Sequence, residues 1–399
     1  MLRRIPQILK VLPTQNIHIS KFTFRQISDY KNGERLSSKT KDLLENAIIT
    51  DDDLPDMVGP NGKKKKSRHP KKEEESEKSG VDLSDKSVIL FPGQGSQFVG
   101  MGSKLLDIPS VKELYDQASQ ILNYDLLKIC LEGPKTVLDQ THYCQAATVV
   151  TSLAAVELLF RKSPELVRNC LSVAGFSVGE ITALIFSGAI SFGEGIHLVK
   201  VRGEAMQAAS EIEDGGMMTC FFGSDNDLAF ACQVSREFIR REHEIEKPVC
   251  QVANHLYCGA KVLAGHKLAL KFIEENKSDF KIRRVAMLPV SGAFHTPLMV
   301  PALDPFEVAL SNTKVHNPRV PIYSNYDNRI LTTSYQIKKY LPRQLVSPVR
   351  WESSMASLFI SKPNDLLPNV LECGPGRSLS AILGKINGRA AKNCKYVQC

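Results

Sequence analysis

The chain has 399 residues, 43% of them apolar, a formal charge of +8 and ten cysteines. Such a chain can bury one large core or two smaller ones with tails to spare. The basic excess is concentrated in the first eighty residues, so it does not mark a nucleic-acid face. The cysteines include no C-x-x-C pair, which argues against zinc, a redox pair or a disulfide framework and for a reducing compartment.

Residues 1–28 contain no Asp or Glu, while Arg3, Arg4, Lys10, Lys21 and Arg25 recur among Leu, Ile and Phe. That is the pattern of a mitochondrial transit peptide. It lacks the continuous apolar stretch of a secretory signal, and no later segment reads as long and apolar enough to span a bilayer, so we expect no membrane span. Residues 29–80 are polar, with blocks at Asp51–Asp53, Lys63–Lys66 and Glu73–Glu75. Such blocks cannot bury enough apolar surface to order themselves and read as a disordered or cleaved linker. The lysine run has acidic neighbours and no interleaved aromatics, which favours a solvated tail over a nucleic-acid patch.

Order is expected from the apolar run 87–91, which Pro92-Gly93 ends. Residues 149–159 read as a buried helix, the apolar residues 171–174 as a strand, 181–186 as a helix, and 196–209 as a further helix carrying Arg202. Strands alternating with helices predict a parallel sheet covered on both faces. The pattern then shortens: a strand at 217–222, a helix at 225–242, strands at 249–253 and 261–264, a helix at 267–276 and a closing strand near 283–288. That β-α-β-β-α-β order is ferredoxin-like and reads as an insertion. We therefore divide the folded part into a large α/β subdomain, first part 81–212, a ferredoxin-like small subdomain, 213–288, and a second part of the large subdomain, 289–399, which includes the strand and turn at 371–376.

Chemistry concentrates in Gly175-Phe176-Ser177-Val178-Gly179-Glu180. Strand, tight turn and helix is the setting of a nucleophile elbow, in which the flanking glycines admit neighbouring backbone and a strained turn exposes the serine. The first amides of the following helix would be left unpaired, able to hold an anionic oxygen. Ser177 with Glu180 also fits an S-x-x-E capping box. Serine needs a base, and among the nine histidines His295 stands out, after an apolar strand-like run and before Pro297. Its bland alternative is a satisfied surface or core histidine. Arg202, on a largely apolar helix, is either an internal ion-pair partner, a snorkelling arginine or an anion clamp.

Five blocks occur together in one order: Phe91-Pro92-Gly93-Gln94-Gly95-Ser96-Gln97, the Ser177 block, Arg202 within Val199-Lys200-Val201-Arg202-Gly203-Glu204-Ala205-Met206, Gly292-Ala293-Phe294-His295, and Glu372-Cys373-Gly374-Pro375-Gly376. Over residues 87–385 the chain resembles the malonyl-CoA:acyl carrier protein transacylases, and the leader makes it look like the mitochondrial member of that family. The resemblance implies an α/β-hydrolase-like large subdomain with a ferredoxin-like insertion. It implies Ser177 as nucleophile, His295 as base, the Gln94 and Val178 amides as an oxyanion hole, and the Gln344 backbone carbonyl as the group orienting His295, its side chain being immaterial. It further implies that Arg202 clamps the malonyl carboxylate, that bulky Phe294 disfavours an α-methyl branch, and, more weakly, that Asn254 borders the pocket. Phe176 stands where many members have histidine, and Cys373 replaces a more usual apolar residue.

The activity so implied is ping-pong transfer of malonyl from coenzyme A, through a Ser177 ester, to the phosphopantetheine thiol of a mitochondrial acyl carrier protein. This would serve fatty-acid synthesis in the mitochondrial matrix. No metal and no bound cofactor are expected, nor a nucleic-acid partner, and we expect a monomer. A serine thioesterase or hydrolase would share Ser177 and His295 without needing Arg202, and a non-catalytic carrier-protein-binding module would need none of the three. From the tail composition, a chain beginning at Val81 should fold and turn over like the full-length protein. Comparing kcat/KM of the two checks this, and loss of activity in the shorter chain would contradict it.

Overall fold

The computed structural model describes residues 80–399 other than 225. The transit-like leader at 1–28 and the charged linker, apart from Gly80, lie outside the described residues. Strands β1 (Ser87–Phe91) and β2 (Cys170–Gly175) come first. Strands β3 (Gly215–Phe222), β4 (Cys250–Tyr257), β5 (Ala260–His266) and β6 (Ile282–Met287) form the next block. The chain closes with β7 (Ile322–Tyr323), β8 (Ile330–Leu331), β9 (Asn369–Cys373) and β10 (Cys394–Val397).

The larger sheet has the order β10-β9-β1-β2-β7-β8, parallel throughout except for the antiparallel edge strand β8. β1 is buried at every position, as an apolar run between two helical layers must be. The short strands β7 and β8 carry too few residues for a period-two signal and were not anticipated from the sequence. The second sheet, β4-β5-β3-β6, is antiparallel and carries two helices, α5 (Leu228–Glu242) and α6 (Lys267–Glu275), which pack on each other. Element order and strand order together are ferredoxin-like. The fold is thus α/β, with the small unit spanning Gly215–Met287 and the large sheet resuming after it.

The helices of the large unit that matter for the site are α1 (Pro109–Leu122), α2 (Thr141–Lys162), α3 (Gly179–Phe186), α4 (Phe192–Ile212), α7 (Trp351–Leu358) and α8 (Ser378–Ile386). α2 corrects one expectation. By length and composition it is apolar enough to cross a bilayer, contrary to the reading of the sequence. Its alanines, threonines, Val149 and Val150 are buried instead, in a helix packed against α4, α3, β9 and β10, the place of a helix apolar on all sides inside a core.

Glycines 175 and 179 set how closely α3 can approach the ends of β1 and β2. A Cβ on Gly179 would lie 2.4 Å from the Phe91 carbonyl oxygen and 2.7 Å from that of Pro92, and one on Gly175 would lie 1.9 Å from the Gly179 carbonyl. α3 can start this close to the strand ends only because both positions are glycine. The segments that follow β1, β2 and β7 carry Gln94, Ser177 and Asn325 and leave the carboxyl ends of neighbouring parallel strands, where open parallel sheets hold their ligands.

Candidate active site

Ser177 sits in the turn between β2 and α3 with φ of 52°, in the left-handed region that a non-glycine residue occupies at a cost of about 1–3 kcal/mol. The turn is held from both sides. The Ser177 N–H donates to Asn325 Oδ1 at 2.7 Å, while Asn325 Nδ2 donates to the Gly175 carbonyl, also at 2.7 Å. The Ser177 carbonyl accepts from the Glu180 N–H at 3.0 Å and from Gln344 Nε2 at 3.1 Å. This geometry replaces the expected capping box. Val178 occupies the N-cap position of α3 without a side-chain cap, and the Glu180 carboxylate turns inward to Gln344 and Asn325. It also corrects the expectation about free amides: those of Gly179, Glu180 and Ile181 bond to Phe176, Ser177 and Val178 carbonyls. The Val178 amide has no acceptor among the described residues.

His295 lies in the loop that returns from the small subdomain, with φ of 63°. It does not end a strand, as its sequence setting had suggested, because β6 stops at Met287. The residue docks instead on the short turn Pro342–Val346. Its backbone N–H donates to the Leu345 carbonyl at 3.1 Å and its ring Nδ1 lies 2.7 Å from the Gln344 carbonyl. A carbonyl oxygen can only accept, so Nδ1 carries the proton and Nε2 is bare. Nε2 lies 2.9 Å from Ser177 Oγ, positioned to take its proton. Among the described residues no carboxylate bonds to His295.

Arg202 projects from α4 into the interior and is only 1% exposed. Its hydrogen bonds go to three neutral oxygens: Nη1 to Gln145 Oε1 at 2.6 Å, Nη2 to Gln344 Oε1 at 2.8 Å, and Nη2 to Ser177 Oγ at 3.1 Å. Nε has no partner. Burial lowers the guanidinium to about 10, with Glu180 pulling the other way. A buried charge bonded to amides and a hydroxyl, and forming no ion pair among the described residues, can still bind an anion. The same contacts reveal what the sequence reading missed. Gln145 lies in the second turn of an apolar helix, Asn325 comes just after an undetected two-residue strand, and the Gln344 side chain, dismissed as immaterial, touches Arg202, Ser177 and Glu180.

The remaining candidates are placed more loosely. Gln94 lies just past the β1 turn; its side chain donates to Thr141 Oγ1 at 3.3 Å, and its backbone amide, like that of Val178, has no acceptor among the described residues. Gly93 packs so closely on the elbow that a Cβ there would lie 2.4 Å from the Phe176 carbonyl oxygen. The Phe176 ring packs on Trp351, centroids 5.3 Å apart. Phe294 is buried in the main apolar core. Asn254, on β4, is buried with Oδ1 unpartnered, outside the hydrogen-bonded cluster around Ser177. Cys373 is buried, and all ten cysteines are free. Among the described residues no group of three or more His, Cys, Asp or Glu is gathered to hold a metal ion.

Residues 88–366 match the acyl transferase domain family. The mitochondrial malonyl-CoA-acyl carrier protein transacylase of Homo sapiens is 48% identical over 311 residues, covering 78% of this chain and 80% of that protein. The crystal structure of an acyl-carrier-protein-S-malonyltransferase from Bartonella henselae superposes with a TM-score of 0.70 at 29% identity, over 79% of this chain and 96% of that one. A malonyl-transacylase solved in complex with its type II PKS acyl-carrier protein superposes with a TM-score of 0.67 at 29% identity, over 78% and 94% of the two chains.

Burial and the nearby Arg202 charge push the His295 imidazole down to about 4, against the pull of the Gln344 carbonyl. If the neutral ring acts as base toward Ser177 Oγ, reaction at Ser177 should stay level as the pH falls and drop only as it passes that value, rather than near the ordinary imidazole value of about 6.5. The rate at which a neutral sulfonyl fluoride labels Ser177, measured against pH, reports this. Arg202→Ala removes a like charge and should move the acid limb upward. A limb near 6.5 in the unaltered protein would contradict the assignment.

Proposed function

This chain belongs to the acyl transferase domain family, among its malonyl-CoA–acyl carrier protein transacylases, and we propose that Ser177 carries the malonyl group between the two thiols of that reaction. The observation that carries the proposal is the contact between His295 Nε2 and Ser177 Oγ at 2.9 Å, with Nδ1 anchored on a backbone carbonyl.

Arg202 Nη2–H already occupies one lone pair of Ser177 Oγ, which leaves the hydroxyl proton to point at His295. His295 takes that proton as Oγ attacks the thioester carbonyl carbon. The carbonyl oxygen becomes an oxyanion, for which the unpartnered Gln94 and Val178 amides are the donors. Collapse breaks the carbon–sulfur bond, and the departing thiolate takes the proton from His295. In the second half the phosphopantetheine thiol of acyl carrier protein enters, gives its proton to His295 and attacks the Ser177 ester; Ser177 leaves and recovers its proton. The thioester is already activated, which supports a reaction needing no bound cofactor.

Arg202 sits beside the nucleophile with neutral partners, where a carboxylate at the far end of a three-carbon acyl group would supply its missing counter-charge. Phe294, adjacent to His295, would limit the acyl group by volume. The acyl carrier protein partner fits the complex solved for the malonyl-transacylase relative. A mitochondrial carrier protein and a matrix location are supported by the acid-free leader and by the mitochondrial name of the human relative. A serine hydrolase or thioesterase would leave Arg202 without a use and is not favoured.

Arg202→Ala should lower kcat/KM for malonyl-CoA by on the order of 10²-fold, the value of a lost charge-assisted contact, while acetyl-CoA transfer is kept or gained. Steady-state kinetics with both thioesters and acyl carrier protein tests this. Equal losses for the two would make Arg202 a structural residue.

A further inference from the structure

We propose that Glu180 is a positioning residue of this site, its carboxylate holding Ser177, Arg202 and His295 in one arrangement through the Gln344 side chain and through Asn325. The proposal rests on Ser177 and His295 being nucleophile and base. Glu180 is 1% exposed, and its Oε2 accepts from both Gln344 Nε2 and the Asn325 N–H, while Oε1 has no partner among the described residues. A carboxylate buried with one oxygen unsatisfied is a poor stabiliser of a fold. Its effect on geometry is definite.

Burial raises the Glu180 carboxyl to about 7, but Oε2 is the acceptor in both of its contacts, so the edge of the Gln344 amide facing it is the NH2. The same NH2 reaches the Ser177 carbonyl, and the oxygen edge is thereby forced toward Arg202 Nη2. Without the carboxylate the amide could turn over and present its NH2 to the guanidinium, donor against donor. One side chain of the 342–346 turn thus fixes Arg202 and the nucleophile's backbone, while the main-chain carbonyl of the same residue fixes His295. The second branch runs through Asn325: with its backbone N–H held by Glu180, its side chain clamps the Ser177 amide and the Gly175 carbonyl. Both branches end on the strained Ser177.

The test uses the full-length protein, with fold checked by thermal unfolding. It has two readouts: the rate at which phenylmethanesulfonyl fluoride labels Ser177, and kcat and KM for malonyl transfer. Glu180→Ala should lower the labelling rate and kcat of the folded protein by on the order of 10–100-fold, as expected for a misplaced reacting group. Glu180→Gln, which restores an acceptor oxygen of the same reach and sets its NH2 where Oε1 had no partner, should recover most of both rates. A merely structural role would lower the melting temperature and leave the per-molecule labelling rate unchanged. If Glu180→Ala does not fold, Gln344→Leu decides: it keeps the carbonyl that holds His295 and removes only the amide, and should show the same losses. Wild-type rates in the folded Ala or Leu variant, or a Gln variant as slow as Ala, overturn the proposal. Failure of the unaltered protein to be labelled at Ser177 would instead overturn the nucleophile reading beneath it.

Discussion

Everything at this site depends on a serine held in a backbone conformation it would not choose. Ser177 at φ of 52° is strained, and the strain is sustained by contacts made at long range in the sequence: Asn325 on its amide, Gln344 on its carbonyl, and the β1 turn packed beneath Phe176. Parallel strands β1, β2 and β7 end side by side, so the loops after them meet at one place. Glycines 175 and 179 let that meeting be close enough for Oγ to reach both a histidine and an arginine.

The second organising fact is electrostatic. A guanidinium buried without an ion-pair partner is expensive, and here it is bonded to the oxygens of two side-chain amides and a hydroxyl. These partners satisfy its donors without cancelling its charge. An arriving carboxylate therefore gains more than it would from an arginine already in a salt bridge, and an acyl group lacking one leaves the charge as it was. The Arg202 charge also discourages protonation of His295. Burial and that charge together keep the His295 imidazole neutral.

The sequence made the local parts of this arrangement legible. A serine between glycines after an apolar run, a histidine ahead of a proline, and an arginine amid aliphatics are each visible within ten residues, and their order along the chain identified the family. The ferredoxin-like insertion was readable because its strands are seven or eight residues long for three of the four. The residues that escaped are those that only tertiary structure joins. Asn325 lies just beyond a two-residue strand with no periodicity to betray it, and Gln145 lies on a helix whose apolar length was its only signal. Glu180 fits a capping box in sequence, yet the carboxylate serves groups about 145 and 164 residues away instead of the helix end. Local pattern names a side chain's options, and the fold selects among them.

The central claim is that the acyl group resides on Ser177 between the two thiols. Mass spectrometry of the protein mixed with malonyl-CoA in the absence of acyl carrier protein tests it most directly. The account predicts one malonyl group per chain, mapped by peptide digestion to the segment containing Ser177, absent from Ser177→Ala, and discharged when acyl carrier protein bearing phosphopantetheine is added. A malonyl group mapped to any cysteine, or retained in Ser177→Ala, would contradict it.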